Sequence, residues 1–261
     1  MKRKVCLISI VALTGLLYTC SDLIEYSPYE VRGITTSINT TNAAIIAGQT
    51  IPADTLRFAL ISDTHSHYDD LADAITSINH QESIQFVVFC GDCTHRGLSQ
   101  EYTWYSNIIG TCRYPVITVI GNHDLWSNGR KNFENIFGPA NMSFTCMNYR
   151  FIVFDDIVWE NNNKCPDFDW LQGELTRNNA PVILLTHLPP WNMQLEGNCC
   201  HAFSEIISVS NLILCIHGHE HTFSENSFAG VPAIVAGEIT ERNYCIVKVY
   251  DQLYEVHRIC L

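Results

Sequence analysis

The feature that most constrains this chain is an apolar run of strand length that ends in a cluster of histidines. Residues 211–216 are mostly Leu, Ile and Cys, and His217, Gly218, His219 and His221 follow. In an extended segment, side chains two residues apart point the same way, so His219 and His221 can present two imidazoles to one place. Gly218 allows a tight turn beside them. Imidazole suits zinc, iron and similar ions, although one such segment alone is more simply interpreted as a surface loop.

The same pattern recurs in four earlier segments. Apolar runs cover residues 58–62, 86–90, 116–120 and 182–186, and each is predicted to be a strand buried on both faces. Each run is followed closely by the Asp, Asn or His side chains that hard and borderline cations prefer. These are Asp63 and His65, then Asp92, then Asn122 with His123 and Asp124, and finally His187. Because sites in open α/β sheets form outside the carboxyl ends of strands, we expect these side chains to converge on one crevice.

The order of these blocks resembles that of the calcineurin-like metallophosphoesterases. That family shows Asp-x-His, Gly-Asp, Gly-Asn-His-Asp/Glu, a lone His and Gly-His-x-His, and all five blocks are found here in order between Asp63 and His221. The resemblance implies an α/β fold, a calcineurin-like sandwich of two mixed β-sheets flanked by helices. It also implies a dinuclear metal-dependent phosphoesterase that hydrolyses phosphate mono- or diesters.

The resemblance assigns seven residues to two metal ions. They are Asp63, His65 and His221 for one ion, Asn122, His187 and His219 for the other, and Asp92 as the bridge between the two. A carboxylate can bridge because it has two oxygens to share. Two ions about 3.5–4 Å apart would lower the pKa of a bound water, and the resulting hydroxide would attack phosphorus. Mixed nitrogen and oxygen donors admit Mn, Fe or Zn, so the identity of these divalent or trivalent ions stays open.

Two further residues are assigned to catalysis by the resemblance. His123 would protonate or stabilise the leaving oxygen, and Asp124 would orient or compensate it. The alternative for His123 is a structural histidine beside a metal ligand. One departure concerns His95, which stands where many relatives have Asp or Asn. In the protein phosphatases of the family that acid partners the catalytic histidine, so its replacement argues against a phosphoprotein phosphatase and leaves the orientation of His123 open.

The N-terminus has the layout of an exported lipoprotein. Three basic residues at 2–4 precede an apolar stretch at 5–17, which is too short to span a bilayer comfortably and is typical of a signal peptide. Residues 17–20 resemble a lipobox, so Cys20 would carry the lipid that anchors the protein to a bacterial membrane, on its periplasmic or cell-surface face. We expect a signal peptide at 1–19, a tether with a possible edge strand at 20–52, and the catalytic domain at 53–261. An ordinary signal peptide or an uncleaved anchor is the alternative.

The rest of the chain alternates between strand and helix patterns. Helices are predicted over residues 68–80, 100–109, 130–137 and 167–177 from the helical spacing of their apolar residues. Strands without an intervening helix are predicted over residues 143–155, and a terminal hairpin is predicted around Asp251 and Gln252. Loops at 126–129, 159–169 and 191–201 are expected to shape the pocket, since specificity tends to reside on loops.

The cysteines and the net charge indicate which disulfides and which substrates to expect. Of the 12 cysteines, Cys165, Cys199 and Cys200 lie in polar stretches and are the favoured disulfide formers, whereas Cys93 is expected to be a packed thiol rather than a ligand. The net charge of −12 without any basic block argues against a nucleic-acid groove. That charge would not attract a phosphate ester, so the small phosphorylated substrate that the resemblance implies would require bound metal ions to reverse the field locally. A non-catalytic, metal-stabilised lipoprotein that binds a ligand or partner is the alternative function. The complete ligand set together with His123 favours the enzyme, and nothing in the sequence indicates the oligomeric state.

Overall fold

Two mixed β-sheets pack face to face in a computed structural model that describes residues 36–50, 54–195, 197–208 and 210–261. The first sheet has the order β11-β10-β1-β2-β3, and its strands β1, β2 and β3 are parallel. The second has the order β4-β5-β6-β7-β9-β8, with parallel strands from β5 to β9 and antiparallel strands at both edges. This architecture confirms the predicted sandwich.

The strands have the following bounds. The first sheet contains β1 (Leu56–Ile61), β2 (Phe86–Phe89), β3 (Val116–Thr118), β10 (Asn243–Tyr250) and β11 (Leu253–Cys260). The second contains β4 (Met142–Cys146), β5 (Tyr149–Val153), β6 (Val182–Leu185), β7 (Leu212–His217), β8 (Ser224–Phe228) and β9 (Val231–Val235). Strands β2, β3, β5 and β6 are buried at every position, as expected for continuous apolar runs covered on both faces.

Six helices flank the sheets within the part of the chain that the structure describes. They are α1 (Ile38–Ala47), α2 (Tyr68–Asn79), α3 (Ser99–Ile109), α4 (Gly129–Phe137), α5 (Phe168–Thr176) and α6 (Asn198–Ser208). Short 3₁₀ turns cover His123–Leu125, Met193–Leu195 and Ile239–Glu241. The four predicted helices are therefore confirmed to within two residues at each end as α2 to α5.

The core between the sheets is aromatic. Phe58 and Phe86 of the first sheet stack with ring centroids 5.2 Å apart, and Phe151 of the second sheet meets Phe86 edge-on at 5.2 Å. These contacts join the two inner faces across the sandwich, where aromatic pairs add to the free energy gained from buried area. Helices α2 to α4 cover the outer face of the first sheet, and α5 and α6 cover the second.

The described part of the segment 20–52, residues 36–50, differs from the expected tether with an edge strand. Residues 38–47 form helix α1, whose buried residues Asn39, Ala43 and Ile46 follow helical spacing. The Asn39 amide donates to the carbonyl of Thr118 at 2.7 Å and accepts from its N–H at 2.9 Å, so it satisfies the backbone at the end of β3 as a neighbouring strand would. The folded domain thus includes α1 and begins well before residue 53. The expected signal peptide and Cys20 lie outside the described residues.

Two other differences concern the second half of the chain. Helix α6 was expected to be a loop in its first turn, and its apolar positions Phe203 and Ile207 fill the space beside α5. Edge strand β8 is solvent-exposed and polar, so no apolar run marked it. The predicted terminal hairpin is confirmed: Tyr250 pairs with Leu253, and the two turn residues between them both have positive φ, as a type I′ turn requires.

Within the described ranges, none of the helices has the length and apolarity that crossing a bilayer demands.

Candidate metal centre

The loops that follow β1, β2, β3, β6 and β7 meet at one edge of the sandwich, and each carries one or two of the predicted ligands. The parallel strands place their carboxyl ends side by side, so residues distant in sequence become neighbours. All seven predicted metal ligands are brought together there. They form two groups on either side of Asp92.

The first group consists of Asp63, His65 and His221. The Nε2 atoms of His65 and His221 are 3.3 Å apart, and Oδ1 of Asp63 lies 3.4 Å from the His221 nitrogen and 4.0 Å from that of His65. Two nitrogens and one oxygen thus converge on a single point. This is a donor set that transition metals accept.

The second group consists of Asn122, His187 and His219. Oδ1 of Asn122 lies 3.1 Å from Nε2 of His187 and 3.1 Å from Nδ1 of His219, and these two nitrogens are 3.3 Å apart. His187 is fully buried, and its Nδ1 donates to the carbonyl of Cys90 at 2.7 Å. That hydrogen bond fixes the ring so that Nε2 faces the other two donors.

Asp92 stands between the groups. Its Oδ2 is 3.7 Å from Nε2 of His65 and 3.4 Å from Nε2 of His187. Its Oδ1 accepts the backbone N–H of His123 at 2.9 Å. The sequence-based expectation assumed that both oxygens are shared between the ions. The structure instead presents one oxygen to both groups and uses the other to hold the neighbouring loop.

The backbone at these ligands is held in an unusual conformation. Five of the seven have positive φ, with values of 52° for Asp63, 48° for His65, 56° for Asp92, 72° for His219 and 60° for His221. Such angles are uncommon outside glycine, cost roughly 1–3 kcal/mol each, and cluster at functional sites. The fold therefore maintains this arrangement of side chains against local strain.

Two glycines make the close approach of these loops possible. A Cβ at Gly121 would overlap the backbone and carboxylate of Asp92, and a Cβ at Gly218 would overlap Ser62 and Asp63. The glycines of the Gly-Asn-His-Asp and Gly-His-x-His blocks thus have a steric role in addition to their effect on backbone freedom.

The donor set fits bound metal ions. Oδ1 of Asp63 is fully buried and, among the residues that the structure describes, has no hydrogen-bond partner. The ligand atoms of Asp63, His65 and His221 lie within 4.8 Å of one another, and so do those of Asp92, His187 and His219. A cation in each group would satisfy these acceptors together, whereas a neutral imidazole donates only one proton.

Comparison with known proteins agrees with this geometry. The sequence model for calcineurin-like phosphoesterases matches residues 56–223, which contain all five motif blocks. The chain belongs to the calcineurin-like phosphoesterase family. A curated relative, the glycerophosphodiester phosphodiesterase GpdQ of Enterobacter lignolyticus (strain SCF1), is 24% identical over 191 residues, which is 63% of this chain and 68% of the relative.

Solved structures show the same fold at low sequence identity. A purple acid phosphatase from yellow lupin, PPD1, superposes with a TM-score of 0.60 at 11% identity, over 81% of this chain and 52% of the lupin protein. The Plasmodium protein GAP50, described as the anchor in the inner membrane complex, also gives 0.60, at 15% identity over 80% of this chain and 85% of its own. These similarities establish the fold alone, and the family's chemistry must be argued from the site.

The electrostatics of this phosphoesterase site centre on Asp92. Burial alone would lower the pKa of His187, but the adjacent Asp92 carboxylate outweighs burial and raises that pKa to about 10. Burial would also raise the pKa of Asp92, and the neighbouring histidines more than offset this, so that it lies far below its usual range. Burial lowers the pKa of His219 to about 4, and His187 adds to the effect. The Asp92 carboxylate thus strongly favours positive charge at the point where the two groups meet.

Two glutamates that belong to no motif support the ligands from outside. Oε2 of Glu238 is 3.2 Å from Nδ1 of His221, and Oε1 of Glu160 accepts from the Asn122 amide at 3.4 Å. Each contact turns the correct atom of its ligand, Nε2 or Oδ1, toward the centre. Neither residue could be identified from the sequence, because both lie in loops without a recognisable pattern.

Asp156 is a third residue of the site that was not predicted, although its position in the sequence follows the same pattern as the predicted acids. It follows the apolar run of β5 by a few residues, as the other acids follow their strands. Its carboxylate accepts the backbone N–H of His187 at 3.3 Å and that of Leu188 at 3.1 Å, and burial raises its pKa to about 7. Asp156 therefore positions the loop of His187 through the backbone.

The structure corrects the role expected for Asp124. This fully buried carboxylate accepts the N–H and hydroxyl of Thr94, both at 2.8 Å, and the N–H of Gly121 at 3.0 Å. It also accepts from the thiol of Cys93, which is a packed residue as predicted. Asp124 thus fastens the loop after β2 to the loop after β3, and burial, with Asp92 adding, raises its pKa to about 6.

The ring of His123 is oriented by a backbone atom instead. Its Nδ1 lies 2.9 Å from the carbonyl oxygen of His95, so the missing family acid is replaced by a main-chain acceptor. The ring stacks on Trp126 with centroids 4.7 Å apart and on His95 at 5.3 Å. It also meets His65 edge-on at 4.6 Å, which places it beside the first group of ligands.

The predicted loops form the rim of the centre. Trp126, Trp159 and Trp191 are all exposed, and the indole of Trp191 donates to Glu220, which lies between His219 and His221. The disulfide predicted from Cys165 to Cys199 or Cys200 is confirmed as Cys165–Cys199, with a Cα–Cα distance of 5.5 Å. It ties the loop that carries Glu160 to the start of α6.

Proposed function

We propose that this protein is a dinuclear metal-dependent phosphoesterase that hydrolyses small phosphate esters, with phosphodiesters preferred. The observation that carries the proposal is the position of Asp92. One oxygen of its carboxylate lies 3.7 Å from a histidine of the first ligand group and 3.4 Å from a histidine of the second. This arrangement supports two ions that share a ligand and therefore lie close together. Two ions held in this way can stabilise both the attacking and the leaving oxygen of an in-line displacement.

The seven residues would divide between the two ions as the family resemblance implies. Asp63, His65 and His221 would hold one ion, Asn122, His187 and His219 would hold the other, and Asp92 would contact both. Such ions supply an activated water and electrostatic stabilisation of the phosphoryl oxygens. Their identity among Mn, Fe and Zn is set by supply and affinity, since the mixed donor set admits all three.

His123 would protonate the leaving oxygen. Because Nδ1 faces the carbonyl of His95 as a donor, Nε2 is the nitrogen that can exchange a proton with a substrate. Stacking on Trp126 and the edge contact with His65 hold the ring beside the first ligand group. A positioned acid of this kind contributes roughly 10²–10⁴ to the rate.

Charge around the centre supports a preference for diesters. Three glutamates add negative charge around the centre: Glu160 contacts Asn122, Glu238 contacts His221, and Glu220 contacts Trp191 at the rim. The chain as a whole carries a net charge of −12. A monoester carries about −1.5 to −2 charges near neutral pH, whereas a diester carries only one. The similarity to a glycerophosphodiester phosphodiesterase agrees with this preference.

Export and lipid attachment at Cys20 are proposed from residues 1–20 alone, through their basic, apolar and lipobox-like segments.

The test of the proposed function is hydrolysis by the purified protein loaded with Mn, Fe or Zn. Bis(p-nitrophenyl) phosphate and p-nitrophenyl phosphate serve as the diester and monoester, and His80→Ala, which alters an exposed histidine just after α2, serves as the control. We expect hydrolysis that is lost on chelation, restored by metal, and faster for the diester. A protein that holds two ions per chain and cleaves neither ester with any of the three metals would be a binding protein instead.

A further inference from the structure

We propose that His95 contacts the substrate directly: a ring nitrogen of His95 donates a hydrogen bond to a non-bridging oxygen of the phosphoryl group held at the metal centre. This inference rests on the proposed function, because it requires a phosphoryl group in the site. It adds a substrate-binding residue that lies outside the seven metal ligands and His123.

The ring of His95 lies beside the centre. His95 follows Asp92 by three residues in the loop after β2, and one of its ring nitrogens lies within 4.8 Å of ligand atoms of both His65 and His123. Its ring centroid is 5.3 Å from that of His123 and 5.7 Å from that of His65. Since the ring of His123 stacks on both His95 and Trp126, it lies between them.

The ring nitrogens of His95 are unpaired among the described residues. The carbonyl of His95 accepts from His123, but across the described residues its ring nitrogens take part in no hydrogen bond or ion pair. Stacking holds the ring in place. Because the residue is only half-buried, its nitrogens remain accessible. Every other histidine near the centre has a ring nitrogen engaged by a carboxylate, amide, hydroxyl or carbonyl. An imidazole that is ordered, accessible and unpaired beside a phosphate site is suited to donate to a phosphoryl oxygen.

A third cation is the competing occupant, because three imidazoles meet here. His65, however, already directs Nε2 toward Asp63, Asp92 and His221, and His123 uses Nδ1 on a carbonyl. A third ion would also lie close to two other cations, whose repulsion it would have to overcome. A phosphoryl oxygen is attracted by the same cations, so an oxyanion is the favoured occupant.

Three variants separate hydrogen bonding from stacking. His95→Phe keeps a ring against His123 and removes the nitrogens, whereas His95→Asn keeps a donor and removes the ring. His95→Ala removes both. All three retain the backbone carbonyl that orients His123.

The measurement is the affinity of the metal-loaded full-length protein for inorganic phosphate by titration calorimetry, with the metal content of every variant determined alongside. We expect phosphate affinity to fall by about tenfold to a hundredfold in His95→Phe and His95→Ala, the usual worth of a hydrogen bond to a charged group. In His95→Asn it should stay within about threefold of the wild type. KM for a diester should rise in the same order while kcat changes less.

Three results would overturn the proposal. One is wild-type affinity in His95→Phe at two metals per chain. Another is a third metal ion in the wild type that is lost in His95→Phe. The last is an absence of phosphate binding by the metal-loaded wild type. Because phosphate binding requires no turnover, a protein that binds phosphate through His95 but cleaves no ester would fail the proposed function and still pass this test.

Discussion

Replacement of His123 by alanine separates proton donation from metal binding. His123 is not a member of either ligand group, and its backbone N–H, which Asp92 accepts at 2.9 Å, is retained in the variant. Two ions per chain should therefore remain bound. The lost group is a ring nitrogen, and a positioned acid is worth roughly 10²–10⁴ in rate.

The size of the loss should depend on the leaving group. An alkyl alkoxide needs a proton as it departs, so the rate of an alkyl diester should fall by the full factor of roughly 10²–10⁴. A nitrophenolate leaves unaided, and its rate should fall much less. The assay is the ratio of variant to wild-type rates on a glycerol diester and on bis(p-nitrophenyl) phosphate.

Trp126→Ala is the matched control, because it removes a ring stacked on His123 at 4.7 Å and leaves the imidazole in place. It should lower both rates by similar, smaller factors. Equal losses on the two esters in His123→Ala, at full metal content, would refute the acid role and leave His123 as a positioning residue.

Three other outcomes follow from the structure. Glu238→Gln should weaken metal binding by about 10–100-fold, because the negative charge that orients His221 is lost. Glu255→Gln on exposed β11 should leave metal binding unchanged, and equal affinities of the two variants in a metal titration would contradict this role of Glu238. Cys165→Ser should lower the free energy of unfolding by about 3–4 kcal/mol, from the chain entropy of a 34-residue separation, with Cys260→Ser as the control in denaturant unfolding. Cys20→Ser should move the protein from the membrane fraction to the soluble fraction, and a wild type that carries no fatty acid would count against lipid attachment.

The residues of the two groups could be predicted from sequence to lie together because each follows the end of an apolar run. Continuous apolar segments form the strands β1, β2, β3, β6 and β7. The residues that follow such strands lie at the carboxyl ends of the sheets, and these ends meet at one edge. Asp156 likewise follows the apolar strand β5, but it lies outside the family motifs and was therefore not among the predicted site residues.

Residues that act through loops could not be found in this way. Glu160 and Glu238 reach Asn122 and His221 from segments whose paths depend on the whole fold. The assignment of Asp124 to His123 failed because adjacent side chains on a 3₁₀ turn need not face each other. Helix α1 was missed because its Ile and Thr residues favour strands, and only contacts with β3 reveal the helical face.

The count of bound metal in the wild type and in Asp92→Asn tests the central claim most directly. The substitution removes a negative charge and weakens the one oxygen that lies between the two ligand groups, at 3.7 and 3.4 Å from His65 and His187. Elemental analysis should find two ions per chain in the wild type and a loss at both positions in the variant, together with loss of activity. Two ions per chain and full activity in Asp92→Asn would show that Asp92 is not the shared ligand, and fewer than two ions per chain in the metal-loaded wild type would contradict the dinuclear account.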